Sequence, residues 1–211
     1  MTSLAIKICG LTEPDALDAA IAARADFVGL NFYPPSPRCR SFAEAAALAA
    51  RAAGRVPLVG VFVDPDDALL GEAVAAGQLA ALQLHRVSAA RRAEVRARFG
   101  LPVWAVIEVA KSGDLAARDH LAAADRVLFD AKTPKGALPG GMGLAFDWSM
   151  LAGLAQPLPW GLAGGLSPAN VAQAVRITGA PLVDVSSGVE SAPGVKDPAL
   201  VAAFCAAARS A

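Results

Sequence analysis

A chain of 211 residues with 19 basic and 19 acidic side chains carries no formal net charge, which argues against a nucleic acid or an anionic membrane surface as its partner. Apolar residues make up 55% of it, but alanine supplies much of that, and no run approaches the ~18 uncharged apolar residues of a membrane span. The first residues lack the basic and apolar regions of a secretory signal, so a cytoplasmic protein is expected.

In chain order, strand-like apolar runs fall at residues 4–8, 26–32, 57–63, 79–84, 102–109, 126–129, 158–162 and 182–185. Between them lie Ala-rich stretches of helical period, such as 14–25 with Leu17, Ala20 and Ile21, and 168–177 with Val171, Ala174 and Val175. Thr12 and Ser167 each stand just ahead of a proline and are placed to cap these two helices. Strands apolar on both faces and separated by helices need a parallel sheet covered by helices. Eight such repeats predict one (β/α)8 barrel, the TIM-barrel fold, as a single domain over residues 1–211. An open doubly wound sheet is the alternative. The irregular stretch 131–144 is long for a plain connection and is expected to be a functional or mobile loop.

In a barrel the chemistry sits at the carboxyl ends of the strands. Strand 1 ends in Lys7-Ile8-Cys9-Gly10, where a helix N-terminus and nearby cations would draw the Cys9 thiol toward the thiolate; a small buried hydrophobe is the plainer role for a lone cysteine. Cys39 and Cys205 fit that plainer role, and three cysteines without a CxxC spacing argue against a disulfide framework or a zinc site. Strand 6 ends in Phe129-Asp130-Ala131-Lys132. A carboxyl among apolar neighbours is raised in pKa and can serve as a general acid, although Asp130 would equally serve as a cap or a partner to Lys132. Arg38 follows three prolines and offers a fork for a carboxylate or phosphate, or is simply a surface arginine. His85 is expected to line the pocket and Glu108 to pair with a neighbouring base. The runs ending in Gly164-Gly165 and in Ser186-Ser187-Gly188 leave backbone N–H groups open to an anion, as in the phosphate sites formed by the last two barrel loops.

These segments together resemble one family. The motifs Lys7-Ile8-Cys9-Gly10-Leu11-Thr12, Phe32-Tyr33-Pro34-Pro35-Ser36-Pro37-Arg38, Gly60-Val61-Phe62-Val63-Asp64 and Leu82-Gln83-Leu84-His85 are followed by Gly140-Gly141-Met142-Gly143 with Phe146-Asp147-Trp148. Leu162-Ala163-Gly164-Gly165-Leu166 and Val183-Asp184-Val185-Ser186-Ser187-Gly188-Val189-Glu190 complete the set. Their order is similar to that of the phosphoribosylanthranilate isomerases of tryptophan biosynthesis. The resemblance implies an Amadori rearrangement of N-(5-phosphoribosyl)anthranilate to 1-(2-carboxyphenylamino)-1-deoxyribulose 5-phosphate, the third step from chorismate. It implies Asp130 as general acid and Cys9 as general base, with no metal and no organic cofactor. Arg38 would hold the anthranilate carboxylate, with His85 also at the substrate. Gly141 and Gly143, Gly164 and Gly165, and Ser187 and Gly188 would surround the phosphate. A monomer or homodimer acting on a small phosphoribosyl substrate is expected. Met142 stands where many relatives carry Ser or Thr, and Arg86 where Gly is frequent.

Two other functions remain open at this point. Other phosphosugar barrel enzymes would be expected to use a carboxylate in place of Cys9, or metal-binding histidines, of which this chain has only His85 and His120. A non-catalytic phosphate-ligand module would have little use for both Cys9 and Asp130.

Overall fold

The computed structural model describes residues 4–116, 121–132, 143 and 145–211. Its strands are β1 (Ala5–Cys9), β2 (Phe27–Asn31), β3 (Leu58–Val63), β4 (Ala81–His85), β5 (Val103–Val109), β6 (Arg126–Ala131), β7 (Trp160–Leu162) and β8 (Leu182–Val185). They close into a barrel in sequence order, every pair parallel, with β8 returning onto β1 through Ala5↔Leu182 and Lys7↔Asp184. Closure removes the open-sheet alternative and leaves the barrel no free edge.

Around the barrel lie α1 (Pro14–Ala22), α2 (Phe42–Ala52), α3 (Asp67–Gly77), α4 (Ala89–Phe99), α5 (Val171–Thr178) and α6 (Pro198–Arg209). After β5 and β6 the described residues form only 3-10 turns, at Ser112–Ala116 and Trp148–Leu151. A short antiparallel hairpin, β9 (Glu190–Ala192) and β10 (Val195–Lys196), stands between β8 and α6. No helix among the described residues is long and apolar enough to cross a membrane.

Two caps differ from expectation. The N-cap of α1 is Glu13 without a side-chain bond, because the Thr12 hydroxyl donates instead to the carbonyl of Gly194, far along the chain, at 2.7 Å. Helix α5 starts after Asn170, whose Oδ1 accepts from the Ser167 N–H at 2.7 Å, so the turn 168–170 precedes the helix and Ser167 is not its cap. Helix α2 does carry a full capping box between Ser41 and Glu44.

Alternation along the strands separates two cores. Outward-facing Ile6, Ile8, Val28, Leu30, Leu82 and Val183 pack with the helices. Inward-facing Val59, Ala81, Trp104, Leu128 and Leu182 fill the barrel itself, with Ala5, Phe27 and Val106 against them. That filling stops partway up, and above it the inward positions are polar: Lys7 and Asp184, then Cys9, His85, Glu108 and Asp130.

Candidate active site

The floor of the mouth is a buried ion pair. Lys7 on β1 and Asp184 on β8 are register partners, and the Lys7 ammonium donates to both carboxylate oxygens at 2.9 and 3.0 Å. Lys7 is fully buried; burial disfavours its charge, but Asp184 and then the Cys9 sulfur outweigh this and hold the ammonium above its ordinary pKa. Neither residue carried a role in the sequence reading. Their signal is a charge at an inward position of an otherwise apolar strand, Ile6-Lys7-Ile8 and Val183-Asp184-Val185, which only a buried partner makes affordable.

Cys9 lies two residues above Lys7 on the same inward face, half-buried, and its sulfur accepts a hydrogen bond from Lys7. Gly29 on β2 makes room for both: a Cβ there would come within 2.9 Å of the sulfur and 3.2 Å of the ammonium nitrogen. The thiol pKa does not fall as expected. Burial pushes it up from its ordinary value, and the opposing pull of Lys7 and Lys196 is smaller. A helix dipole acts within one turn through partly solvated surroundings, whereas desolvation acts on the whole charge.

Asp130 sits across the mouth on β6, beside its register partner Glu108 on β5. Burial, then the like charge of Asp184, raises its carboxyl to about 7, against one hydrogen bond from the Ala131 N–H at 2.8 Å. This is the environment of a carboxylic acid still protonated near neutrality. Glu108 pairs with Arg86 at 3.8 Å. His85, at the end of β4, is buried and lowered to about 4 by desolvation and by the charges of Lys7 and Arg86. Its Nε2 lies 3.0 Å from the Gln83 amide nitrogen, an arrangement that suits a neutral imidazole protonated on Nδ1. A cavity of about 370 Å³ opens here, lined by His85, Arg86, Glu108 and Lys132 among others.

The loops after β7 and β8 interlock. Gly164 has φ +85°, and a Cβ on it would meet the Ala131 nitrogen at 2.5 Å and Asp130 Oδ1 at 2.9 Å. Only glycine combines that backbone with that contact. Gly165 faces the backbone of Ala145 in the same way, 2.9 Å from a built Cβ, so a side chain there would displace the loop instead of merely covering the anion site. Gly188 lies against the carbonyl of Leu166, joining the two loops, and Ser187 Oγ is 3.6 Å from where a Cβ on Gly143 would stand. The expected phosphate residues Gly143, Gly164, Gly165, Ser187 and Gly188 thus gather on one side of the mouth. Gly141 and Met142 lie outside the described residues.

Arg38 is no surface side chain. It is buried, its stem crosses above Gly10 at the top of β1, and its Nε and Nη2 each donate to Glu190 at 2.7 Å. Glu190, which holds it, and Lys196, which in turn donates to Glu190, had no assigned role from sequence; the signal for Glu190 was only its place at the close of the last motif. Cys39 is half-buried in its loop and Cys205 is buried on α6.

A closed parallel barrel that gathers a thiol beside a buried ammonium, a raised carboxyl and interlocked glycine loops at the carboxyl ends of its strands defines a (β/α)8-barrel enzyme equipped for acid–base chemistry. The family model for N-(5'phosphoribosyl)anthranilate (PRA) isomerase matches residues 6–207, and the chain belongs to that family. N-(5'-phosphoribosyl)anthranilate isomerase of Paramagnetospirillum magneticum is 56% identical over 207 residues, 97% of this chain and 96% of its own. The Rhodopseudomonas palustris enzyme of the same name is 53% identical over 98% of this chain and 96% of its own. Among solved structures, phosphoribosyl anthranilate isomerase of Thermotoga maritima superposes with a TM-score of 0.87 at 30% identity, covering 99% of this chain and 100% of that one. A second, in complex with reduced 1-(o-carboxyphenylamino)-1-deoxyribulose 5-phosphate, gives 0.85 at 28% identity over 99% and 100%.

Proposed function

We propose that this protein is a phosphoribosylanthranilate isomerase of tryptophan biosynthesis, acting in the cytoplasm at the third step from chorismate. It would use no metal or organic cofactor and no nucleic acid or membrane partner. The observation that carries the mechanism is the opposition of Cys9 on its ammonium and Asp130 with its carboxyl raised to about 7, across one barrel mouth. Asp130 protonates the furanose ring oxygen, the C1–O bond breaks, and the anilino nitrogen lone pair forms the Schiff base. Cys9, as thiolate, takes the C2 proton; the C–H electrons become the enolamine double bond, which tautomerises to the ketone.

Because the thiol titrates above its ordinary value and Asp130 near 7, the pair rests mainly as thiol and carboxylate around pH 8. The reactive form, thiolate with carboxylic acid, is reached by moving one proton between them, so the two groups titrate as a unit. Lys7 is the cation that stabilises the thiolate once formed. The Arg38 side of the mouth would take the anthranilate carboxylate, and Gly143, Gly164, Gly165, Ser187 and Gly188 the phosphate.

The direct test follows the fluorescence of phosphoribosylanthranilate, generated in place because it is labile, on adding the protein. Rapid decay to the ketone is expected. A correctly folded preparation that leaves the signal unchanged would favour a binding module and overturn the proposal.

A further inference from the structure

The hairpin of β9 and β10 has no part in the chemistry above, yet it holds the most heavily bonded carboxylate at the mouth. Glu190 Oε1 accepts from Arg38 Nε at 2.7 Å and from Lys196 Nζ at 2.5 Å, while Oε2 accepts from Arg38 Nη2 at 2.7 Å and the Gly194 N–H at 3.2 Å. Lys196 also donates to the Ser186 carbonyl at 3.1 Å and hydroxyl at 3.3 Å. The three charged side chains are 9%, 5% and 0% exposed for Arg38, Glu190 and Lys196. The hairpin itself is anchored to the barrel loops, by Thr12 on the Gly194 carbonyl and by close packing of Gly194 against Pro37.

Two cations share one anion here, so the triad is net positive and largely dry. Buried ionic groups of this kind add little net stability over apolar side chains, and their geometry is the better account of them. One arm fixes the guanidinium on the β2 loop and the other fixes the start of the Ser187–Val189 turn after β8. Those are the two places where the proposed substrate brings a carboxylate and a phosphate.

We propose that Glu190 is a positioning residue that sets the distance between the two anion sites, holding Arg38 directly and the turn after Ser186 through Lys196. The inference rests on the substrate assignment made above. It makes Glu190 a determinant of binding for ligands carrying both anions, without contact to the reacting atoms.

The test compares wild type, Glu190→Gln, Arg38→Ala and the double variant. Titration calorimetry would use reduced 1-(o-carboxyphenylamino)-1-deoxyribulose 5-phosphate and, separately, inorganic phosphate, beside steady-state kinetics and thermal melting. Glu190→Gln keeps the shape and removes the charge. It should weaken the two-anion ligand roughly 10- to 100-fold, the range of one charged hydrogen-bond contact, and raise KM while kcat stays within about 3-fold. In the Arg38→Ala background it should weaken that ligand only as much as it weakens phosphate, since its larger arm is already gone. Lys196→Gln, which leaves the Arg38 contacts in place, should weaken phosphate and covers the case in which Glu190→Gln does not fold. Unchanged affinity in folded Glu190→Gln, or a loss confined to kcat, overturns the inference. Arg38→Ala binding the two-anion ligand as wild type does would instead overturn the substrate assignment beneath it.

Discussion

At the amino-terminal end of the barrel, Phe27 meets the edge of Trp104 with ring centroids 5.0 Å apart, and the Arg126 guanidinium lies 4.9 Å over the indole. Val59, Ala81, Leu128 and Leu182 complete a dry apolar plug. At the other end of the same strands the inward residues are Cys9, His85, Glu108 and Asp130 above the Lys7–Asp184 pair. The plug gains from burial, since apolar area leaves water. The mouth is destabilised by it: desolvation raises the Asp130 carboxyl and the Cys9 thiol and strips the proton from His85. Stability and reactivity occupy successive layers of one scaffold, and substitutions in each should fail in different ways.

The largest effects belong to the mouth. Cys9→Ser offers a hydroxyl that does not ionise near neutral pH, so kcat should fall by roughly 10²–10⁴ or more, the contribution of a general base, with the melting temperature nearly unchanged. Near-full turnover in folded Cys9→Ser would remove the thiol from the mechanism. Trp104→Ala should do the reverse. Deleting an indole that is 3% exposed should cost about 3–5 kcal/mol of stability, while kcat and KM of the folded fraction hold. A comparable loss of kcat at low temperature, where the variant is folded, would mean the plug transmits to the mouth and the two layers are not separable.

How far this layering could be read from sequence depends on the range of the interactions. Strand β8 falls at its expected bounds and every other strand end within two residues of them, because apolar runs between helical stretches are local signals. The strands extend to include Cys9, His85, Asp130 and Ala131, since polar residues at the mouth look like the end of an apolar run while the ladder continues through them. Thr12 misled because its hydroxyl is drawn to the distant Gly194 carbonyl, and Ser167 because α5 begins only at Val171, after a turn. The Lys7–Asp184 pair spans 177 residues of sequence and the Arg38–Glu190 pair 152, so each charge was visible but its partner was not. The Cys9 shift went the other way because burial cannot be read from a dipeptide, whereas the Asp130 shift agreed with the apolar run before it.

A smaller effect follows from the Asp130 shift, with its sign fixed by linkage. Its folded-state pKa of about 7 exceeds the ordinary 3.8, so the folded protein binds this proton more tightly than the unfolded chain. Stability from this group is full below about pH 4 and is lost as pH rises toward and through 7. Asp130→Asn removes the titration and keeps an oxygen for the Ala131 N–H. Discounted for its partial exposure, the variant should gain about 1–3 kcal/mol at pH 8 and almost nothing at pH 4, while kcat collapses. His85, lowered to about 4, destabilises the fold in acid with the opposite sign but cancels in the difference between the two proteins. Denaturant melts at both pH values decide it, and equal stability differences at pH 4 and 8 would show that Asp130 is not held protonated by the mouth.

The smallest expected effect lies at the rim, where the two layers can be compared without touching the proposed acid or base. Arg86 follows β4 with φ +57°, a left-handed backbone that costs a non-glycine residue roughly 1 kcal/mol or more. Its ion pair with Glu108 spans 3.8 Å, with the arginine side chain 47% exposed, and a pair so open to water contributes about 0–1 kcal/mol. The strain and the pair nearly offset each other, and the larger freedom of glycine in the unfolded chain subtracts a further few tenths. Arg86→Gly should therefore shift stability by less than about 1 kcal/mol in either direction, in contrast to the loss at Trp104. Its readable consequence is electrostatic: Arg86 is one of the cations that lower His85, so its removal should let the His85 pKa move up from about 4 toward its ordinary value. NMR titration of the two histidines measures this directly. An unmoved His85 would show that desolvation and the buried Lys7 charge suffice to keep the imidazole neutral and that the rim charge of Arg86 does not reach the layer below.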